Sequence, residues 1–279
     1  MWFIILEKEY ICEMKIKKIF IIILFINFSC SDYRKLFKTE GYEKKLEAAL
    51  NYYEEKEYYK ASTLFEDIKP LVKGTNKSEL VDFYFAYCLY HQKQYILSAN
   101  YFKEFIELYS RSERVIEAEY LYGYSLYKDS PNFDLDQSSS FKAIEVIQNF
   151  INKNPYSEYS KNATDLLQEL RIKIEKKYFF NAKQYFKTRT YKSAIIALKN
   201  FQNEFPGSIF DEESHYLIVF SQYTIAKSSF EELQKERFKK VIDYYIEFID
   251  KYPNSAFIKE VEKMYIESLD ILGTFAKNK

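Results

Sequence analysis

Apolar and small residues recur along this chain at fixed offsets, and the recurrence predicts helices in pairs. In Tyr191–Ser208 an aromatic opens the stretch, Ala194 follows, then Leu198 and Phe201, and Pro206 and Ser208 close it. Phe238–Ser255 keeps those offsets with Val241, Tyr245, Phe248, Pro253 and Ser255, and Ser140–Ser157 with Ala143, Ile147, Phe150, Pro155 and Ser157. Tyr95–Ser112 keeps Ser98, Phe102, Phe105 and Ser112, with Ser110 where the proline is expected. Steps of three and four residues put the apolar positions on one helical face, and the proline ends each helix because its ring and missing N–H block continuation. A spacing held this often marks one supersecondary unit repeated along the chain.

Each such helix has a partner upstream. Tyr42–Lys56 and Tyr58–Leu71 are two amphipathic runs with Gly74 and Asn76 in the turn after them, and Ser78–Lys93 and Tyr95–Tyr109 form the next pair. A third first helix, YLYGYSLY at Tyr120–Tyr127, parallels FYFAYCLY at Phe83–Tyr90. Ala49 and Ala61, Ala86 and Ser98, and Ala182 and Ala194 stand twelve residues apart in each case. A small side chain on each helix lets two antiparallel backbones approach closely at their crossing. Between the third and fourth pairs, Tyr159–Thr188 keeps one apolar stripe and reads as a single long helix. Insertions are expected at Asp129–Asp136 and at roughly Ser228–Arg237, and Glu212–Ala226 is the most degenerate of the first helices. The expected fold is all-α: a right-handed solenoid of about five helix pairs, with no sheet.

Composition narrows the function. Only 5 Gly and 5 Pro in 279 residues favour long helices over a turn-rich β fold. The net charge of zero, without a basic block, argues against a nucleic-acid partner. Cys12, Cys30 and Cys88 give neither a disulfide framework nor metal-ligand spacing. His91 and His215 lack partnered ligands, no glycine-rich phosphate loop exists, and the acidic runs Glu54–Glu57 and Glu231–Glu236 read as solvated helix faces. No enzyme, no cofactor and no metal are therefore expected, which leaves binding.

Binding has an address. In a stacked array of helix pairs the first helices line an extended docking face. Positions −3, +1 and +4 from each small residue should face it: Leu46, Leu50 and Tyr53; Phe83, Tyr87 and Tyr90; Tyr120, Tyr124 and Tyr127. Rings gathered on one face suit a peptide with apolar or aromatic anchors. In the fourth repeat the same positions are Phe179, Lys183 and Phe186, a less aromatic set.

The amino terminus carries a second signal. From Met14 the chain reads MKIKKIFIIILFINFSCSDY, with basic residues, a short apolar run and a small-residue boundary, as in a secretory signal peptide. The Ser29–Cys30 pair resembles a bacterial lipobox, although Asn27 and Phe28 depart from its usual residues. That resemblance implies residues 1–29 as signal peptide with the true start at Met14, lipidation of Cys30, and a tether over 30–41 before a repeat domain at 42–279. An ordinary signal cleaved nearby is the alternative.

The repeat itself resembles the tetratricopeptide repeat over about Tyr42–Phe275. The order of features narrows this further: a lipobox, five repeats, SPNFDLDQSSSFKAI at Ser130–Ile144, endings NPYS, FPGS and YPNS, and one long joining helix. This order resembles the BamD family of lipoproteins of the outer-membrane β-barrel assembly machine, whose DQ motif Asp136–Gln137 matches. The resemblance implies a scaffold on the periplasmic face of the outer membrane. It would bind unfolded outer-membrane proteins through repeats 42–157 and the barrel-forming subunit through repeats 158–279. A lipid-anchored adaptor for another envelope system, handling cell wall or polysaccharide, is the alternative.

Overall fold

The computed structural model describes residues 33–39 and 41–277, with side chains through residue 275. Those residues are helices and turns, without a strand among them. They divide into two compact units that meet between Asp129 and Ser130. The first holds α1 (33–37), α2 (Glu43–Glu54), α3 (Tyr58–Val72), α4 (Ser78–His91), α5 (Tyr95–Leu108) and α6 (Val115–Asp129). The second holds α7 (Ser138–Lys153), α8 (Ser160–Lys187), α9 (Tyr191–Glu204), α10 (Asp211–Lys227), α11 (Glu231–Lys251) and α12 (Ile258–Lys277). Within each unit every helix from α2 on packs against the next. This is the all-α architecture of consecutive pairs that the repeat predicts.

The small residues sit where two helices must touch. Ala49, Ala61, Ala86, Ser98, Ala143 and Ala194 are fully buried, and Ala182 nearly so. At the α4–α5 crossing the backbones are close enough for Ser98 Oγ to donate to the Ala86 carbonyl at 3.0 Å. Large side chains fill the space to either side: Leu64, Phe65, Phe102 and Phe105 in the first unit, and Phe179, Leu198, Phe238 and Phe248 in the second, are at most 1% exposed. Burying each such side chain contributes about 1.5–3 kcal/mol.

In three repeats the closing serine links the repeat to its neighbour. Ser112 Oγ accepts from the Arg114 N–H at 3.0 Å and donates to Glu79 Oε1 at 2.6 Å. Ser208 does the same with Phe210 N–H and Glu175, and Ser255 with Phe257 N–H and Glu212. The hydroxyl thus turns the chain into the next first helix while fastening the start, or in Glu175 the middle, of the preceding one. Pro155, Pro206 and Pro253 each fall just past a helix end, whereas Pro70 lies within the last turn of α3. Gly207, at φ +80, takes the left-handed turn after Pro206 that a side chain would strain.

Several boundaries differ from expectation. The insertion placed at Ser228–Arg237 is mostly helix: α11 starts at Glu231 and is extended at its amino end, because Phe238 is buried and the residues before it lack a breaker. A final helix, α12, packs on α11 and α10 and buries Val261 and Met264. Within the stretch assigned to the tether, α1 is folded against α2 and α3 through Tyr33 and Leu36. The division between compact units falls between Asp129 and Ser130, so α6 closes one unit and α7 is the first helix of the other. The signal peptide and Cys30 lie outside the described residues.

Candidate functional site

Seven of the nine expected groove residues, six tyrosines and one leucine, are left half-buried on α2, α4 and α6, among them Tyr53, Tyr87, Tyr90 and Tyr124. Their rings form one run. The Tyr53 centroid is 6.2 Å from Tyr87, Tyr87 is 6.5 Å from Tyr90, and Tyr90 is 5.7 Å from Tyr124. On α6, Tyr124 then stacks on Tyr120 at 5.6 Å and on Tyr127 at 6.0 Å, with planes within 13°. The parallel stacks follow from the helical spacing of these three residues, which are one turn apart. Leu50 is likewise half-buried and packs with the α2–α3 core.

Two expected groove residues are corrected. Leu46 is 7% exposed and Phe83 is 4% exposed, so both are core side chains. Phe83 meets Phe102 at 6.0 Å and Phe105 at 5.3 Å, under the ring run rather than on it. The position three residues before the crossing residue points into the helix pair in these two repeats; only in α6 is it a half-buried ring, Tyr120.

The run also has members that spacing from the small residue did not single out. His91 stacks on Tyr58 at 4.2 Å and 10° and on Tyr87 at 5.7 Å and 20°, between the two rings. Its place four residues after Tyr87 was the available signal. Tyr84 meets Tyr53 edge-on at 4.8 Å. Lys128 lies 5.1 Å over the Tyr124 ring and 5.7 Å over Tyr127, a cation held at the end of the run. Tyr87 donates its hydroxyl to Glu117 Oε1 at 2.7 Å, which fixes its ring from the neighbouring first helix.

Electrostatics follow from this crowding. Burial raises the Tyr53 and Tyr90 hydroxyls above the usual phenol range, and a hydrogen bond with Tyr124 adds to the effect at Tyr90. Burial lowers the His91 imidazole below its ordinary value, which favours the neutral ring. The rings of the run are therefore neutral, with the Glu117 carboxyl bonded to Tyr87 and Lys128 at one end.

The DQ pair works differently. Gln137 is 3% exposed and is consumed by its own loop, donating to the carbonyls of Asn132 at 2.7 Å and Leu135 at 3.0 Å and accepting from Ser140 Oγ at 2.7 Å. Exposed Asp136 accepts from the Ser138 N–H at 2.9 Å, and that bonding holds its carboxyl below the usual range. Helix α8 grips the same loop: Lys173 donates to Ser130 Oγ at 2.7 Å, Lys177 to the Leu135 carbonyl, and Lys176 lies 4.4 Å over Phe133. Leu135 and Phe141 are left exposed beside it.

Farther along α8, Phe179 is fully buried, Lys183 pairs with Glu213, and Phe186 meets Phe220 at 5.3 Å, while rings other than the expected ones gather there, with half-buried Phe180 5.2 Å from Phe133 and Phe179 5.1 Å from Phe210. Elsewhere in the first unit a cleft of about 720 Å³ opens between the ends of α3 and α5, but Lys69, Asp82, Ser78 and Tyr109 bond to one another there. Cys88 is a core thiol that burial pushes up to about 12. His215 is buried with Nδ1 2.9 Å from the Asp211 carbonyl oxygen. Among the described residues no group of three His, Cys, Asp or Glu could hold a metal, and no helix is long and apolar enough to cross a membrane.

Comparison with known proteins adds a family. No curated protein sequence matches the chain. A solved structure of the TPR2AB domain–pHSP90 complex of yeast Sti1 aligns over 81% of this chain and 98% of that one. At 12% identity and a TM-score of 0.38, that likeness carries no argument about function. The model of the YfiO family, described as outer membrane lipoprotein, matches residues 39–180 of 279, a span that takes in the ring run, the DQ loop and most of α8. The chain belongs to the YfiO family of outer membrane lipoproteins.

Proposed function

We propose that this protein is a lipid-anchored scaffold of outer-membrane β-barrel assembly, an adaptor rather than a catalyst. In this reading the ring run of α2, α4 and α6 receives an extended segment of an unfolded barrel protein. The barrel-forming subunit docks on the second unit. Cys30 carries the lipid that holds the protein on the periplasmic face of the outer membrane.

The observation that carries the reading is the continuity of the rings. Tyr53, Tyr87, Tyr90 and Tyr124 touch in sequence across three helices, yet each stays half-open to solvent. Such a surface suits a ligand with regularly spaced aromatic side chains, and transmembrane β-strands carry aromatic girdles on an alternating pattern. The family assignment to outer membrane lipoproteins supports the location. The loop gripped by α8, with exposed Leu135 and Phe141, is a rigid apolar feature of the second unit suited to a folded partner.

Co-purification tests the assignment. Full-length protein isolated from detergent-solubilised outer membranes should bring down the barrel-forming subunit. Recovery of glycan-handling proteins without that subunit would move the protein to another envelope system.

A further inference from the structure

We infer that the edge of the first unit where α3 and α5 begin lies against the lipid headgroups, with Tyr59, Ile96 and Leu97 entering the interface. The inference rests on the reading of Cys30 as the lipidated residue and adds the orientation of the folded unit.

The first argument is where the chain enters. Tyr33 donates its hydroxyl to the Lys60 carbonyl at 3.4 Å, and its ring meets Tyr52 edge-on at 5.6 Å. It is therefore fixed beside the first turn of α3. Only Ser31 and Asp32 separate it from Cys30, so three backbone steps give a covalent reach of about 10 Å. The headgroup layer on each side of a bilayer is about 5–8 Å thick, so a lipid on Cys30 keeps this edge within a few ångströms of it.

The second argument is what the edge exposes. Gln92, in the turn between α4 and α5, donates to the Tyr58 carbonyl at 3.1 Å and to Ser62 Oγ at 2.9 Å, which sets the two turns side by side. Next to them Tyr59 is 72% exposed, Ile96 51% and Leu97 44%. An amphipathic aromatic and two aliphatics at one edge are what the membrane interface takes up.

The third argument is the basic residue in each turn. Lys56 and Lys93 hold φ of 63° and 62°, the left-handed conformation that Arg189 also takes at 60° in the corresponding turn of the second unit. A long cationic side chain kept there can lay its stem on the interface and reach the phosphates. Glu54, Glu55 and Glu57 balance these charges, so the contact rests on the apolar residues and suits zwitterionic lipid.

The test uses the acylated full-length protein in vesicles of phosphatidylcholine and phosphatidylethanolamine, with or without brominated acyl chains. The only tryptophan of the sequence is Trp2, so cleavage before Cys30 leaves none. Tyr59→Trp and Leu97→Trp should each lose emission to brominated lipid. Leu108→Trp, at the other end of α5 and 70% exposed, should keep its emission. Intact mass establishes the acyl chains first. Protein without them overturns both the anchor and this inference; acylated protein with equal emission at the three positions, or with quenching only at Leu108→Trp, overturns the inference alone. All three positions are exposed, and unchanged circular dichroism confirms that each variant is folded.

Discussion

Replacing Ala194 by leucine tests whether the helix crossings are as close as the repeat requires. Ala194 is fully buried and Ala182, its counterpart on α8, is 4% exposed. Leucine adds three carbons. If the crossing could open to admit them, burial at about 0.8 kcal/mol per methylene would stabilise the second unit by about 2 kcal/mol. The neighbours argue against that: Ile195, Leu198 and Phe201 on α9 and Phe179 on α8 are 9% exposed or less. Overpacking should win and cost about 1–3 kcal/mol. In a body of this size that lowers the thermal midpoint by about 2–4 °C per kcal/mol. Urea denaturation followed by circular dichroism reads it as a lower midpoint with unchanged slope. Ile196→Leu, at a position 64% exposed, is the control and should stay within about 0.5 kcal/mol of wild type. An Ala194→Leu protein as stable as wild type would refute the close-crossing argument.

Three further outcomes follow from the same geometry. Ser208→Ala removes both the Glu175 hydrogen bond and the turn at Phe210, and should cost about 1–2 kcal/mol in urea denaturation; an unchanged midpoint would show that the serine link is incidental. Lys93→Gly relieves the positive φ and should gain about 0.5–1 kcal/mol despite the added freedom of the unfolded chain, and a loss would mean the lysine makes a compensating contact. Because burial lowers the His91 pKa in the fold, the unfolded chain takes up the proton first; the stability this confers is complete above about pH 6.5 and is lost as pH falls through the lower folded value. Between about pH 7.5 and about pH 5 the melting temperature of wild type should fall more than that of His91→Phe, and parallel profiles would contradict a desolvated His91 in the Tyr58–Tyr87 stack.

The repeat made the helices and their crossings legible because a fixed spacing reports packing that every unit must satisfy. Ala86 and Ser98 announce the α4–α5 contact without any partner in view, and the structure joins them by a hydrogen bond. Side-chain facing was less legible. Phe83 and Tyr87 both stand near the crossing residue, and only the angle of α4 against α5 decides that one ring is core and the other half-open. His91 was hidden by its own type: an isolated histidine suggests a ligand or a solvated residue, whereas here two rings hold it as a third aromatic. The extension of α11 was missed because a break in repeat spacing looks like a loop, although Glu231–Arg237 has no glycine or proline to end a helix. The lysines of α8 that grip the 130–137 loop are separated from it by more than thirty residues, and charge alone does not encode such a contact.

The central claim is that the ring run binds an extended peptide with aromatic anchors, and Tyr124 is where to test it. Its ring meets Tyr90, Tyr120 and Tyr127 and carries Lys128 above it, so its removal cuts the run in the middle. A labelled peptide from the carboxyl terminus of a β-barrel protein is titrated into wild type and Tyr124→Ala, with helical content checked for both. The account predicts a loss of about 1–2 kcal/mol, roughly five- to thirty-fold in affinity, and little change with added salt because rings rather than charges carry the contact. Equal affinity for the two folded proteins would contradict it.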